Sequence, residues 1–240
     1  MQQFLLTGFV ANLFSTNTFI LADTVRKSAI VFDAPGAVDR IVDYLKQNGI
    51  ERVEAVFLTH GHVDHIIAMN EYRKQLPGEW KAYLGESDLH IWQCVNQQIH
   101  DFGVPFSIET IADPDVLLKG GEVFTFGDTT IECILSPGHS LGSTVYVVKR
   151  KGQQDLIVTG DVLFSNSMGR TDWTDIAILN GTSSYLSLVQ SVKALEKQNP
   201  EASILPGHGD CTTLKKALNN VKYYMECLVC HKHAPFKCLN

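Results

Sequence analysis

The stretch Thr59-His60-Gly61-His62-Val63-Asp64-His65 places three histidines and an aspartate within six consecutive positions. The chain has nine histidines in 240 residues, so chance clustering is a poor explanation. Just upstream, Val53-Glu54-Ala55-Val56-Phe57-Leu58 is apolar and β-branched, and reads as a buried strand that ends at the motif. In extended backbone successive side chains alternate, so His60 and His62 project to the same side. Asp64 and His65 follow where a helical apolar pattern begins (Ile66, Ile67, Met69, Tyr72, Leu76). A strand that stops, a glycine-bearing turn and a helix start together make a rigid mount. Neutral imidazoles and a carboxylate suit a borderline metal such as zinc. The competing reading is that these histidines cap a helix or fill a core. It does not account for an alternating pair with an acid beside it.

Upstream of the motif, residues 3–10, 17–22 and 27–33 read as short strands, the third ending in the turn signal Asp33-Ala34-Pro35-Gly36. Val38, Ile41, Val42 and Leu45 then mark an amphipathic helix closed by Gly49. Downstream, Pro77-Gly78 ends the motif's helix. Residues 81–84 read as a strand, and 87–101 as one helix with Ser87 as its N-cap. His90 and His100 lie in that helix and read as surface or packing residues. Residues 102–119 read as irregular. A hairpin over 122–126 and 129–135 follows, then strands at 144–149 and 156–159, and a Ser/Asn/Gly-rich loop over 162–181. A helix carrying Tyr185, Leu188, Val189 and Val192 runs to about Gln198. The strand 202–205 and a final helix from Thr212 or Thr213 complete the pattern. Strands and helices alternating in this way predict a two-layer β core with helices outside.

Three more metal-capable side chains follow apolar strands: His139, Asp161 and His208. A histidine in a Pro-Gly turn, or an aspartate after glycine, is by itself more often a loop residue or a cap. Together with the first cluster they gain weight as candidate ligands.

The net charge is −6 and the pI about 5.8, with no basic block, which disfavours a dedicated nucleic-acid binder. No cation precedes the mildly apolar N-terminus (the first is Arg26), and no run is long enough to span a bilayer. The six cysteines lack disulfide-scaffold spacing, which suggests reduced thiols and a cytoplasmic setting. No composition break divides the chain. We expect one domain over 1–213, then a helix and tail over 214–240. In that tail, Cys227, Cys230 and His231 would share a face if the segment were helical, with His233 and Cys238 beyond. They read either as a second zinc site or as free thiols on a flexible tail. Structural zinc sites normally pair two ligand knuckles, which favours the second reading.

The ordered set His60-x-His62-x-Asp64-His65, His139, Asp161, His208 resembles the metallo-β-lactamase superfamily of metal-dependent hydrolases. The turns Ser136-Pro137-Gly138-His139-Ser140 and Leu205-Pro206-Gly207-His208-Gly209 match its flanking turns, and the likeness runs to about Thr213. Gly160-Asp161-Val162-Leu163-Phe164, with Gly169-Arg170-Thr171-Asp172, is similar to the glyoxalase II-like branch of hydroxyacylglutathione hydrolases and their single-domain relatives. The resemblance implies an α+β fold, a four-layer αββα sandwich with a dinuclear site at one edge of the sheets. It assigns one metal to His60, His62 and His139, and the other to Asp64, His65 and His208, with Asp161 bridging. Zinc is the default, and iron or manganese also suits these donors.

The chemistry so implied is hydrolysis of a small-molecule thioester. A metal lowers the pKa of water from about 15.7 to about 7, a second ion holds the developing oxyanion, and Asp64 and Asp161 orient the water and accept its proton. No serine or cysteine nucleophile motif is present. Asp33 matches an acid common at this strand end in the family and reads as a supporting group. Arg170 and Asp172 read as an ion pair bracing their loop, in preference to a substrate contact. Only 32 residues follow His208, so the expectation is a single-domain relative without an assigned thiol-binding region. Other readings are a mononuclear-iron persulfide dioxygenase using His60, His139 and Asp161, or a lactone or other ester hydrolase. A β-lactamase, a nuclease and a non-catalytic scaffold rank below these. The sequence leaves oligomeric state and substrate-binding residues open.

Overall fold

Val56 and Phe57 are neighbours in sequence but belong to different layers. The structure, a computed structural model, describes residues 3–226, so the tail's Cys227, Cys230, His231, His233 and Cys238 lie outside the described residues. In strand β4 (Arg52–Phe57), Val56 packs with Ile41, Leu45 and Tyr72 beneath helices α1 (Val38–Gln47) and α3 (Met69–Gln75). Phe57 points the other way, its ring 4.5 Å from Tyr83 and 5.1 Å from Tyr146. This period-two alternation, with both faces buried, explains why the strand reads as a nearly continuous apolar run.

The first sheet has the order β1 (Phe4–Ala11), β2 (Thr16–Asp23), β3 (Ser28–Phe32), β4, β5 (Lys81–Gly85), β6 (Val116–Leu118). Its first three strands are antiparallel, and β3 to β6 pair in parallel. The second sheet runs β12 (Thr212–Thr213), β11 (Ser203–Pro206), β10 (Leu156–Gly160), β9 (Thr144–Arg150), β8 (Thr129–Leu135), β7 (Val123–Phe126). Here only β10 and β11 are parallel. Phe32, Phe57, Ile131, Tyr146, Val158 and Leu205 fill the space between the sheets. On the outer face of the second sheet, Val145, Val147 and Ile157 pack against Leu188 and Val192 of α6 (Tyr185–Ala194) and Leu214 and Val221 of α7 (Leu214–Glu226). The result is the expected α+β sandwich of four layers, αββα. Among the described residues, no helix is long and apolar enough to cross a membrane.

Four local expectations change. The helix after the motif is two: α2 (Val63–Ile66) ends where Ala68 N–H bonds to Ala34 O at 3.0 Å, and α3 starts anew. The helix over 87–101 is a 3₁₀ turn (Glu86–Asp88), then α4 (Leu89–Gln93) and α5 (Val95–Asp101), parted at Cys94. Ser87 caps nothing there, and the residue beside it, Asp88, turns its carboxylate inward. Residues 102–119 contain β6, paired with β5 through Tyr83↔Val116. Thr212–Thr213 is a short strand on β11 rather than the start of a helix. Gly49 ends α1 as expected, at φ +66°, where a left-handed turn suits glycine.

Candidate metal centre

Strands from both sheets end at one edge, and each delivers a polar side chain just past its last apolar residue. Leu58 and Thr59 carry the chain from β4 to His60, fixed to the second sheet by Tyr146 Oη–H to Leu58 O at 2.5 Å and Thr144 N–H to Thr59 O at 2.8 Å. The turn after β8 supplies His139, the end of β10 supplies Asp161, and the end of β11 supplies His208. His60, His62, His65 and His139 are buried. His139 Nε2 lies 3.2 Å from His60 Nε2, and the His62 ring sits 4.5 Å from that of His139.

Four imidazoles are oriented through Nδ1. His65 Nδ1 donates to Asp33 Oδ2 at 2.9 Å, His139 Nδ1 to Arg170 O at 2.8 Å, and His208 Nδ1 to Phe14 O at 3.1 Å. An oxygen without a hydrogen can only accept, so these three rings carry a proton on Nδ1 and turn Nε2 inward. His60 Nδ1 sits 3.0 Å from Thr59 Oγ1, which itself donates to Asp33 Oδ2 at 2.9 Å. Asp33 occupies the left-handed region (φ +61°) and also accepts the Thr59 N–H at 2.7 Å. The supporting role expected for Asp33 is thus visible as contacts to Thr59 and His65.

Asp161 lies between two clusters. Its Oδ2 is 3.4 Å from His139 Nε2 and 3.5 Å from His208 Nε2, and its Oδ1 is 3.4 Å from His65 Nε2. Asp64 Oδ2 is 3.2 Å from His208 Nε2 and 3.4 Å from His65 Nε2, and accepts Thr16 Oγ1–H at 2.7 Å. All seven side chains singled out in the sequence therefore meet. They form the groups His60–His62–His139, His60–His65–Asp161 and Asp64–His65–His208, the ligand atoms of each lying within 4.8 Å of one another.

The donor set fits divalent cations. The buried atoms His62 Nε2, His65 Nε2 and Asp161 Oδ1 have no hydrogen-bond partner in the protein, although buried polar atoms are seldom left so. Burial and then the neighbouring imidazoles push His60 and His62 well below the ordinary histidine range, and burial lowers His139, leaving these rings neutral as ligands must be. At the other end the balance reverses. Burial opposes charge on His65, yet Asp64, Asp33 and Asp161 hold it well above the usual value. His208 rises to about 10 against the same opposition, through Asp161 and Asp64. Asp64 falls to about 2 and Asp161 well below its ordinary value, because His65 and His208 outweigh the burial of each carboxylate. Positive charge is thus strongly favoured beside the two carboxylates.

Several supporting residues escape the sequence reading. Asp88, buried in the turn before α4, accepts Gly61 N–H at 2.9 Å, Gly142 N–H at 2.6 Å and Ser140 Oγ–H at 2.7 Å. It ties the motif's turn to the loop carrying His139. Its only sequence signal is an acid at a helix start, which is common. Asn12, left-handed at φ +56°, donates to Asp64 O at 2.7 Å. Gly207 leaves room for the cluster: a Cβ there would overlap Asp161 Oδ1 and stand 2.7 Å from His65 Cε1. The Arg170–Asp172 pair read from the sequence is present at 2.7 Å; Arg170 also meets Asp175 at 2.5 Å and lies 4.4 Å over the Trp173 ring, so its loop is braced where it receives His139. Exposed His90 and His100 stand apart from the cluster.

Comparison with known proteins agrees with this geometry. The probable metallo-hydrolase YqgX of Bacillus subtilis is 32% identical over 193 residues, covering 80% of this chain and 83% of its own. The hydroxyacylglutathione hydrolase GloC of Haemophilus influenzae is 27% identical over 203 residues, covering 84% and 89%. A solved structure of TTHA1623 in a di-iron-bound form superposes with a TM-score of 0.70 at 25% identity, covering 88% of this chain and 96% of that one. Residues 11–208 match the model of the metallo-beta-lactamase superfamily, whose members bind divalent metals. The chain belongs to the metallo-beta-lactamase superfamily.

Proposed function

We propose that the protein is a metal-dependent hydrolase of small-molecule thioesters, of the glyoxalase II-like kind. Its His60, His62 and His139 would hold one divalent ion and Asp64, His65 and His208 a second, with Asp161 shared. The observation that carries this reading is the position of Asp161, which faces imidazoles of both groups at 3.4–3.5 Å. A complete second group, Asp64–His65–His208, is more than a mononuclear iron site needs. The likeness to a hydroxyacylglutathione hydrolase supports the thioester.

When bound, such ions supply Lewis acidity and a water acidic enough to react near neutral pH. The chain's residues do the rest. Asp33, Arg170 O and Phe14 O fix the ring planes of His65, His139 and His208. Asp64 and Asp161 hold the reacting water in place and take its proton. Trp173, its ring 5.0 Å from His62 and its Nε1–H on His139 O at 3.3 Å, shields that side from bulk water.

Metal quantification beside a thioester and lactone panel tests this. About two ions per chain, S-lactoylglutathione or simpler thioester hydrolysis, and its loss in Asp64→Ala are expected. One iron per chain with oxygen consumption on a persulfide would overturn the reading.

A further inference from the structure

Beside the Asp64 end of the centre the structure has a cavity of about 170 Å³. Val63, Ile67 and Ile99 line its inner part, and Leu13, Phe14 and Phe106 its mouth. Its polar neighbours are Asp64 and Asn12, and Asn12 is already committed to Asp64 O and to Phe14 N–H. Leu13 is 78% exposed and Phe106 51% exposed, an unusual position for two large apolar side chains at one opening.

The site and the cavity are built from the same short hairpin. Asn12 fixes Asp64 from behind, Thr16 Oγ1 holds Asp64 Oδ2, and Phe14 O accepts His208 Nδ1–H, while Leu13 and Phe14 turn to the opening. Phe14 stacks edge-on to Phe102 at 5.5 Å, which steadies the mouth. Asp64 meets the cavity through its apolar atoms, its Oδ2 being turned to Thr16, His65 and His208, so a group bound there packs against the far side of that residue.

We infer that this cavity takes an uncharged apolar segment of the substrate, a phenyl ring or a chain of about six carbons, and that it selects such thioesters over charged ones. This rests on the hydrolase reading above and names the substrate class for that site. Size sets the first limit: an apolar protein cavity of about 150 Å³ stays dry and accepts benzene, so about 170 Å³ suits six carbons. Charge sets the second. Among the described residues, none lining the cavity is cationic, so a carboxylate there would be desolvated with no partner. The two carboxylates of glutathione find no counterpart in it.

The test uses the metal-loaded full chain and thioesters of N-acetylcysteamine, a small neutral thiol. From acetyl through butanoyl to hexanoyl, kcat/KM is expected to rise roughly threefold to fourfold per methylene, to level off by decanoyl, and to be poor for succinyl. Hexyl thioacetate places the same six carbons on sulfur, so its rank against the hexanoyl thioester says which side of the bond the cavity holds. Binding of 1-hexanol, followed by ligand-observed NMR, reads the cavity without turnover. Phe106→Asp and Leu13→Asp change exposed positions at the mouth. Each should weaken hexanol binding and shrink the hexanoyl-over-acetyl preference by about tenfold or more.

Hexanol binding without hydrolysis of any thioester would support an apolar ligand cavity and remove the thioester reading. Thioester hydrolysis with a flat chain-length profile and no hexanol binding would overturn the cavity and leave that reading intact. Concentration-dependent self-association abolished by Phe106→Asp, with no hexanol binding, would also overturn it, by assigning the mouth to a second copy of the chain.

Discussion

Asp88 Oδ2 accepts the backbone N–H of Gly61 at 2.9 Å, from the middle of the motif that offers His60 and His62 on either side. The same carboxylate holds Ser140 and Gly142, just past His139. One buried side chain therefore sets the separation of three imidazoles contributed by two loops. Asp88→Ala would strand the buried N–H groups of Gly61 and Gly142 and leave Ser140 Oγ with Ser143 Oγ alone. We expect a loss of about 2–4 kcal/mol in urea unfolding and weaker metal retention on dialysis. Unchanged values in both measurements would remove this role.

Asp33 combines a left-handed backbone with a carboxylate that receives His65 Nδ1–H. Asparagine tolerates the same backbone, so Asp33→Asn changes the charge while sparing the turn. Loss of a carboxylate behind a ligating histidine typically costs 10–100-fold in metal affinity. A competition titration with a chromophoric chelator should show a weakening of about that size, with circular dichroism unaltered.

Gly207→Ala should empty the site rather than unfold the protein. The added methyl overlaps Asp161 Oδ1 and crowds His65, while the β11 residues before it stay in register with β10. Metal content per chain should drop below about half of wild type, on the reasoning that small displacements of ligands destroy a preformed site.

The stripped protein should show a pH dependence with a known sign. His208 is held up to about 10 against its burial, by Asp161 and Asp64. A raised histidine contributes stability that is whole below its unfolded value, about 6.5, and is lost as pH climbs through the folded one. Relative to His208→Gln, chelator-treated wild type should lose its advantage between about pH 6.5 and about 10. A constant difference in denaturant midpoint across that window would contradict the assignment.

Added metal should raise the denaturation midpoint by mass action. At a free ion concentration 100 times Kd the gain is about 2.7 kcal/mol per site. His62→Ala should reduce it, since His62 Nε2 has no other partner.

The side chains that meet at the centre were legible because each follows an apolar strand at a turn, and strand ends are where a sheet gathers side chains. The two packed sheets and their outer helices were legible for the same reason: β4 and β9 carry apolar residues on both faces. What escaped depends on partners distant in sequence. β6 is three residues long and exists through its pairing with β5, about 30 positions earlier. The break at Cys94 goes with Gln98, whose side chain bonds Gly61 O, Ile91 O and Val63 N–H instead of facing solvent. Asp88 and Asn12 are ordinary turn residues until the loops they hold are known.

His60 and His208 stand at the ends of strands in different sheets, 148 positions apart, and Asp161 completes the link between them. A ribosome-bound chain that has exposed only the first sheet presents His60, His62, Asp64 and His65 without the others. The seven side chains therefore meet only once β11 has emerged and docked, and a product cut short before it would keep the motif but lack His208.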